Sequence, residues 1–290
     1  MRYRSFGDRM ATVSAITLRL DATRRKGHAV DWRSFVFAAL ESGVNAFEIG
    51  HTSVPMLVGV AEAFAAVERR LFLVSWRTTL SGGAVETARR VGDLADSLGL
   101  TQIDLLTLEL DGPLRDPGVL YDLRQTEVAR FLTVAGPASV IDEAIAGGQF
   151  DGVVMKSDPS GGWNNRNRIR AAAARGMGVI AVDVGVEIGV TEEPPAKVGL
   201  LNLFRRRPAP PVADFRVQVP GWTQQQIAIA HALTDTSIST IMVQPPCTQT
   251  LEGLAWAVER DLPAGAQAQI EMARFSGPAV EAERERKRHA

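Results

Sequence analysis

Seven polar residues stand at or just past the ends of short apolar runs: Glu48, His51, Glu109, Asp111, Lys156, Asp158 and Asp183. Such positions carry chemistry when the runs are parallel strands, because the C-terminal strand ends of an α/β barrel open onto its functional face. Glu48 with Glu109 could act as acid and base, and either carboxylate with His51 could hold a divalent ion. No HxH or HExxH spacing accompanies them, so no metal is expected, and the plainer reading is a solvated rim. Lys156 has the side chain of a Schiff-base lysine, but a surface lysine or ion-pair partner is the favoured reading. Cys247, the only cysteine, has no base near it in sequence and reads as a small buried or inert residue. The run Arg205-Arg206-Arg207 could contact phosphate or an acidic partner, against the simpler reading of a solvated loop. Gly161-Gly162-Trp163, after Pro159-Ser160, reads as a turn with an aromatic residue at its end.

The elements that must position these residues alternate from one end of the chain to the other. Strands are predicted at Val13 to Leu18, Ala46 to Ile49, Leu71 to Ser75, Ile103 to Leu110, Phe131 to Val134, Gly152 to Met155, Val179 to Val182 and Ser239 to Val243. Helical patterns fall at Trp32 to Glu41, Met56 to Val67, Val85 to Ser97, Gly118 to Val128, Ala138 to Ala146, Asn164 to Arg175, Thr223 to Leu233 and Thr248 to Val258. Asp31 is placed to cap the first helix, Ser42-Gly43 to end it, and Arg175-Gly176 to end the sixth. Strands as continuously apolar as Gly152 to Met155 and Val179 to Val182 are buried on both faces, as barrel strands are. Eight such strand and helix units define an α/β fold, a single (β/α)8 TIM barrel over residues 1–275, with a charged tail over 276–290. Residues 185–222 hold six prolines and the three arginines, and form a long connection on the functional face.

Composition excludes several classes. With 290 residues, 46% apolar, and 32 basic against 33 acidic side chains, the chain lacks the net positive footprint of a nucleic-acid binder. No apolar stretch approaches the roughly 20 residues of a membrane span, and the first residues lack the apolar core of a secretory signal. With a single cysteine there is no internal disulfide, and a cytoplasmic location is expected.

Several phrases in order resemble the aldo-keto reductase superfamily. MRYRSFGDRMATVSAITL is similar to its N-terminal hairpin and first strand, FAALESGVNAFEIG to its first helix and second strand, LGLTQIDLLTLELDGP to its fourth-strand segment, and RGMGVIAVDV to its seventh strand. The resemblance implies a carbonyl reductase that takes hydride from NADPH, with a tyrosine as proton donor, a lysine paired to an aspartate, and a histidine that orients the substrate. Carried over residue by residue, the aspartate falls on Glu48, the tyrosine on Ser53, the lysine on Trp76 with Arg77 beside it, and the histidine on Glu109. The chain has only two tyrosines, Tyr3 and Tyr121, neither near the second strand. An unactivated serine is a far weaker acid than a phenol of pKa about 10. The cofactor positions fall on Ala135 and Gly136 for the nicotinamide amide, Val154 or Met155 for the sixth strand, Val182 for the ring-stacking aromatic, and Gln244 onward for the phosphate end. Arg205 lies in the loop that crosses the cofactor in that superfamily.

These substitutions lead to the expectation of a catalytically inactive barrel that works by binding, as a regulator of a protein partner or as a sensor of a small ligand. Oxidoreductase-like regulators of cell division and kinases in the same superfamily supply the parallel. Its interface is expected at the barrel mouth, around Trp76, Trp163 and Arg205 to Arg207, with Trp76 filling the former catalytic pocket. No bound cofactor is expected. The alternative is a diverged oxidoreductase using NADPH or NADH, with Arg77 or Arg205 neutralising charge and Glu109 or His51 donating the proton.

Overall fold

The computed structural model describes residues 1–8, 11–114, 116–157, 163–184 and 219–276. Two short antiparallel strands, β1 (Tyr3–Phe6) and β2 (Ala11–Ser14), form an N-terminal hairpin. Eight parallel strands then close a barrel: β3 (Ile16–Leu20), β4 (Ala46–Ile49), β5 (Leu73–Thr79), β6 (Ile103–Glu109), β7 (Ala129–Ala135), β8 (Gly152–Lys156), β9 (Gly178–Val182) and β10 (Thr240–Val243), with β10 pairing back onto β3. The helices of the repeat are α1 (Ala29–Glu41), α2 (Val54–Ala65), α3 (Gly83–Ser97), α4 (Gly118–Gln125), α5 (Ala138–Gly147), α6 (Trp163–Ala174), α7 (Gln224–Ala232) and α8 (Thr248–Val258). A further helix that periodicity did not reveal, α9 (Ala264–Ser276), packs Ala266 and Ile270 against Ile227 and Ala230 of α7.

The first predicted strand is two strands. Ser14 turns its hydroxyl onto the Ile16 carbonyl at 2.7 Å, and the chain passes at Ala15 from the hairpin into the barrel. The fourth helix stops three residues short of Val128, because Glu127 adopts a left-handed conformation (φ 53°) that no helix continues through. Asp31 is not the cap of α1 but sits in its first turn, where it accepts a hydrogen bond of 2.8 Å from the backbone N–H of His28, the capping residue.

Strand alternation sorts the core into two layers. Outward residues such as Ile16, Leu18 and Leu20 pack against the helices, with Trp32 and Phe35 of α1 facing them. Inward residues fill the barrel. At its base Ala46, Leu73, Leu105, Phe131, Val154 and Ile180 surround Phe6, which the hairpin inserts from below. Above them the hydroxyls of Thr17 and Thr240 meet at 2.8 Å and those of Thr107 and Thr133 at 2.7 Å, so polar groups inside the barrel are paired across neighbouring strands. Among the described residues no helix is long and apolar enough to cross a membrane.

Candidate functional site

The upper end of the barrel interior is charged. Arg19 from β3, Glu48 from β4 and Arg77 from β5 all lie in inward rows, as the register Arg19 to Glu48 and Glu48 to Ser75 requires. Glu48 is fully buried; Arg19 ion-pairs with its Oε1, and the Arg77 Nη2 lies 3.6 Å from the same oxygen. Glu48 Oε2 and Arg77 Nε are buried with no hydrogen-bond partner. Burial pushes the Glu48 carboxyl up, against the pull of Arg77 and then of Arg19. The two guanidiniums, 23% and 21% exposed, form the solvent-facing floor of the mouth above a carboxylate that solvent does not reach. On the same floor the Arg77 Nη2 stands 4.0 Å from the Met242 sulfur.

Asp21, at the end of β3, ties this floor to the rim. Its carboxylate lies 3.3 Å from Arg19 and 3.3 Å from Nδ1 of His51, and it accepts from the Thr23 hydroxyl at 2.6 Å and the Thr23 N–H at 2.9 Å. Burial raises its pKa, but the bonds from Thr23 and His51 outweigh that effect and hold the carboxyl well below the ordinary range. His51 itself is 74% exposed, so it serves Asp21 from the solvent side.

The sequence points to Glu48 at the mouth but not to its two partners there: Arg19 is not among the expected site residues, and Arg77 is expected only beside Trp76 and, in the oxidoreductase alternative, as a group that neutralises cofactor charge. The signal for Arg19 was available in the alternation Thr17-x-Arg19-x-Asp21, three polar residues on the inward face of one strand. Trp76 does not fill the pocket. β5 runs on to Thr79, so Trp76 takes an outward position and packs against the helix-side core, while Arg77 takes the inward one. Met155 is likewise outward, and Val154 is the inward residue of that pair.

The remaining candidates do not converge. Glu109 is exposed at the end of β6, away from the Arg19 and Arg77 pairing of Glu48, so the two glutamates do not form an acid-base couple. Lys156 is an 81% exposed partner of Asp183, 3.4 Å away. Asp111 is exposed, as is Trp163 at the start of α6. Cys247 is exposed rather than buried; it caps α8, with its sulfur 3.3 Å from the Thr250 hydroxyl, which together with the Thr250 N–H lowers its thiol pKa. Asp158, Gly161, Gly162, Arg205 to Arg207 and the tail over 277–290 lie outside the described residues. Among the described residues no three His, Cys, Asp or Glu side chains gather as a metal site.

The position of the reductase tyrosine has a structural occupation here. Ser53 caps α2, its hydroxyl accepting from the Met56 N–H at 3.4 Å. Replacement of Ser53 by alanine is expected to cost about 0.5–1 kcal/mol of stability, as loss of a helix cap does. Urea denaturation measures it. The two tyrosines are far from the mouth: Tyr3 sits in the hairpin and donates to the Gly43 carbonyl at 2.8 Å, and Tyr121 is exposed on α4.

The positions mapped to the nicotinamide do not fit that group. Ala135 and Val182 are apolar inward residues. At Gly136 even a Cβ would collide with the Leu110 carbonyl, so no side chain could replace the missing amide partner. Gln244 is exposed and faces a different cleft, beside Arg19 and Arg25.

No protein-family model and no curated protein matches the chain. Solved structures do. An aldo-keto reductase from Bacillus halodurans superposes in its holo form with a TM-score of 0.72, at 16% identity, covering 94% of this chain and 96% of that one. Its apo form gives 0.70 at 17% identity over 94% and 95%. A Pseudomonas aeruginosa protein named after the same family gives 0.64 at 12% identity, covering 88% and 93%. At these identities the likeness is one of fold: the chain has the aldo-keto reductase barrel, with its N-terminal hairpin.

Proposed function

We propose that this chain is a catalytically inactive aldo-keto-reductase-like barrel, a pseudoenzyme that works by binding a small ligand at its mouth and passing that state to a protein partner. The observation that supports this reading best is the floor of the mouth, where Glu48 is sealed beneath Arg19 and Arg77. Carbonyl reduction needs a positioned acid within hydrogen-bond reach of the oxygen that gains charge. Glu48 is covered, the Ser53 hydroxyl is spent on α2, and both phenols are on other surfaces. What the mouth presents instead is two guanidinium groups whose fork suits a carboxylate or a similar planar anion. Met242 and Val182 on the inward rows give that anion apolar neighbours.

Calorimetric titration with NADPH and with NADH tests the reading. No saturable heat is expected up to about 1 mM, which corresponds to binding weaker than about -4 kcal/mol. Micromolar binding of either nucleotide overturns it. A second reading, a diverged oxidoreductase using NADPH or NADH, has one observation in its favour. Burial pushes Glu48 toward its neutral form, the form that can give up a proton. That reading requires saturable nucleotide binding in the same titration.

A further inference from the structure

A cavity of about 300 Å³ opens on the outer wall of the barrel, between α6 and α7, with Glu271 of α9 at its edge. That is the lower end of the range for small-molecule sites. Two arginines one turn apart on α6, Arg166 and Arg170, face Glu271 and, from the turn after α7, Asp235. Neither pair is closed. Arg166 Nη1 stands 3.6 Å from Glu271 and Arg170 Nε 3.7 Å from Asp235, beyond hydrogen-bond reach. Arg168, on the same helix but outside this wall, meets Asp142 at 2.7 and 3.0 Å. Among the described residues neither the Arg166 nor the Arg170 guanidinium makes a hydrogen bond, and Arg166 Nε is buried with no acceptor. On the acidic side Glu271 already has His231, whose Nε2 lies 3.1 Å from its Oε1. Asp235 is fixed in place: its Oδ1 accepts from the Ser237 N–H at 2.9 Å, and Arg4 donates to its backbone carbonyl at 3.0 Å and to that of Ile238 at 2.7 Å. Its Oδ2 is the oxygen turned to Arg170.

A buried donor without a partner costs free energy, and native structures satisfy nearly all such groups with protein, water or ligand. Here two guanidiniums on one wall and a carboxylate on the other call for a molecule that brings both an acceptor and a donor. Apart from His231 the wall carries two charges of each sign, so a simple anion drawn to the arginines meets Asp235 and Glu271, and a simple cation meets Arg166 and Arg170. A zwitterion meets an opposite charge at both ends. Ile169, Ala232 and Ile238 give the rest of the cavity an apolar lining.

We infer that this cavity binds a free α-amino acid with a small apolar side chain, its carboxylate on Arg166 and Arg170 and its ammonium on Asp235. Charge-assisted bonds of this kind close to about 2.7–2.9 Å, which the open pairs of the empty cavity do not reach. The site lies on the helix side of the barrel and shares no residue with the floor of Arg19, Glu48 and Arg77, so the assignment stands whether or not the mouth binds a ligand.

Calorimetry with L-valine, with isovalerate, which lacks the ammonium, and with isobutylamine, which lacks the carboxylate, tests it. Saturable binding of L-valine is expected, with the other two at least ten-fold weaker. R166K keeps the charge but loses the fork and Nε, and is expected to weaken L-valine at least three-fold. D235N keeps an oxygen for the Ser237 N–H; it is expected to weaken L-valine at least ten-fold and to narrow the gap to isovalerate. R168Q, on the same helix, is expected to bind as wild type does. The comparison of the three ligands is made on the unaltered protein, and thermal midpoints within a few degrees of wild type show that the variants are folded. Absence of saturable L-valine binding, equal affinity for isovalerate or isobutylamine, or unchanged affinity in folded R166K or D235N overturns the assignment.

Discussion

Replacing Glu48 by alanine is expected to destabilise the fold by about 3–5 kcal/mol, because it removes one partner of a buried ion cluster and leaves the others uncompensated. The loss falls mainly on Arg77. Arg19 retains Asp21 at 3.3 Å, whereas among the described residues the side chain of Arg77 keeps the Met242 sulfur at 4.0 Å. Glu48→Gln keeps the shape and an acceptor oxygen, so it is expected to cost less. The two variants also differ from wild type in pH dependence. Burial raises the native pKa of Glu48 above the unfolded value of about 4.3, so the native state binds more protons than the unfolded one between those two values. Wild type therefore loses stability relative to E48Q as pH rises above about 4, and the difference levels off once the folded carboxyl has ionised. Urea midpoints from pH 4 to 8 measure this, and a difference that instead moves in favour of wild type would show that the guanidiniums, not burial, set the carboxyl. Replacing the whole cluster (R19M, E48L and R77M together) is expected to restore much of the stability lost by E48A, since apolar groups of similar size need no pairing. Under the proposed reading it also abolishes anion binding at the mouth.

The contrast between this cluster and the rest of the chain shows which features sequence carries. Ala46–Ile49 and Thr248–Val258 lie where their apolar patterns put them, and the closed barrel follows from eight alternating units, because each depends on local periodicity. The Bacillus halodurans structures share that barrel. Local pattern is insufficient where one residue of register changes a side chain's face. The predicted third barrel strand ends at Ser75; four more residues of strand put Trp76 on the helix side and Arg77 in the mouth. The pairing of Arg19 with Glu48 spans 29 residues and depends on β3 and β4 lying in a particular stagger, which no local pattern contains. Glu127 is a helix former by type, and its left-handed backbone, which ends α4, is imposed by the connection into β7. The α9 helix is not legible in the sequence because its buried face consists, among the described side chains, of the small Ala266 and of Ile270, and that burial depends on α7.

The base of the barrel carries the other large effect. Phe6 is inserted by the hairpin between β8 and β9 at the one place where both strands offer glycine, Gly152 and Gly178, which are register partners. A Cβ on Gly178 would lie 2.5 Å from Cζ of the Phe6 ring, and one on Gly152 would lie 2.8 Å from the same atom and 2.7 Å from the Gly178 carbonyl. The ring cannot retreat easily. Phe131 holds its other side at 6.2 Å between centroids, and the hairpin turn is docked beside it, with the Asp8 N–H donating to the Gly176 carbonyl at 2.9 Å. Gly7 in that turn has φ +60°, and a Cβ there would come within 2.5 Å of the same carbonyl, so the hairpin has a fixed seat. Phe6→Ala is expected to cost about 3–5 kcal/mol through lost burial and the cavity left behind. Gly178→Ala is expected to cost about 3 kcal/mol, at the upper end for overpacking, because the clash is with a ring wedged against backbone. The two changes address one contact, so they are not additive. With the ring gone the new methyl fills part of the cavity, and F6A/G178A is expected to be at least as stable as F6A alone. Chemical denaturation of the four proteins tests this. Additive losses would mean that the clash is relieved elsewhere and that the hairpin is not seated on the two glycines. Non-additive losses would make the hairpin a structural plug, which leaves the opposite, charged end of the barrel as the face available for binding.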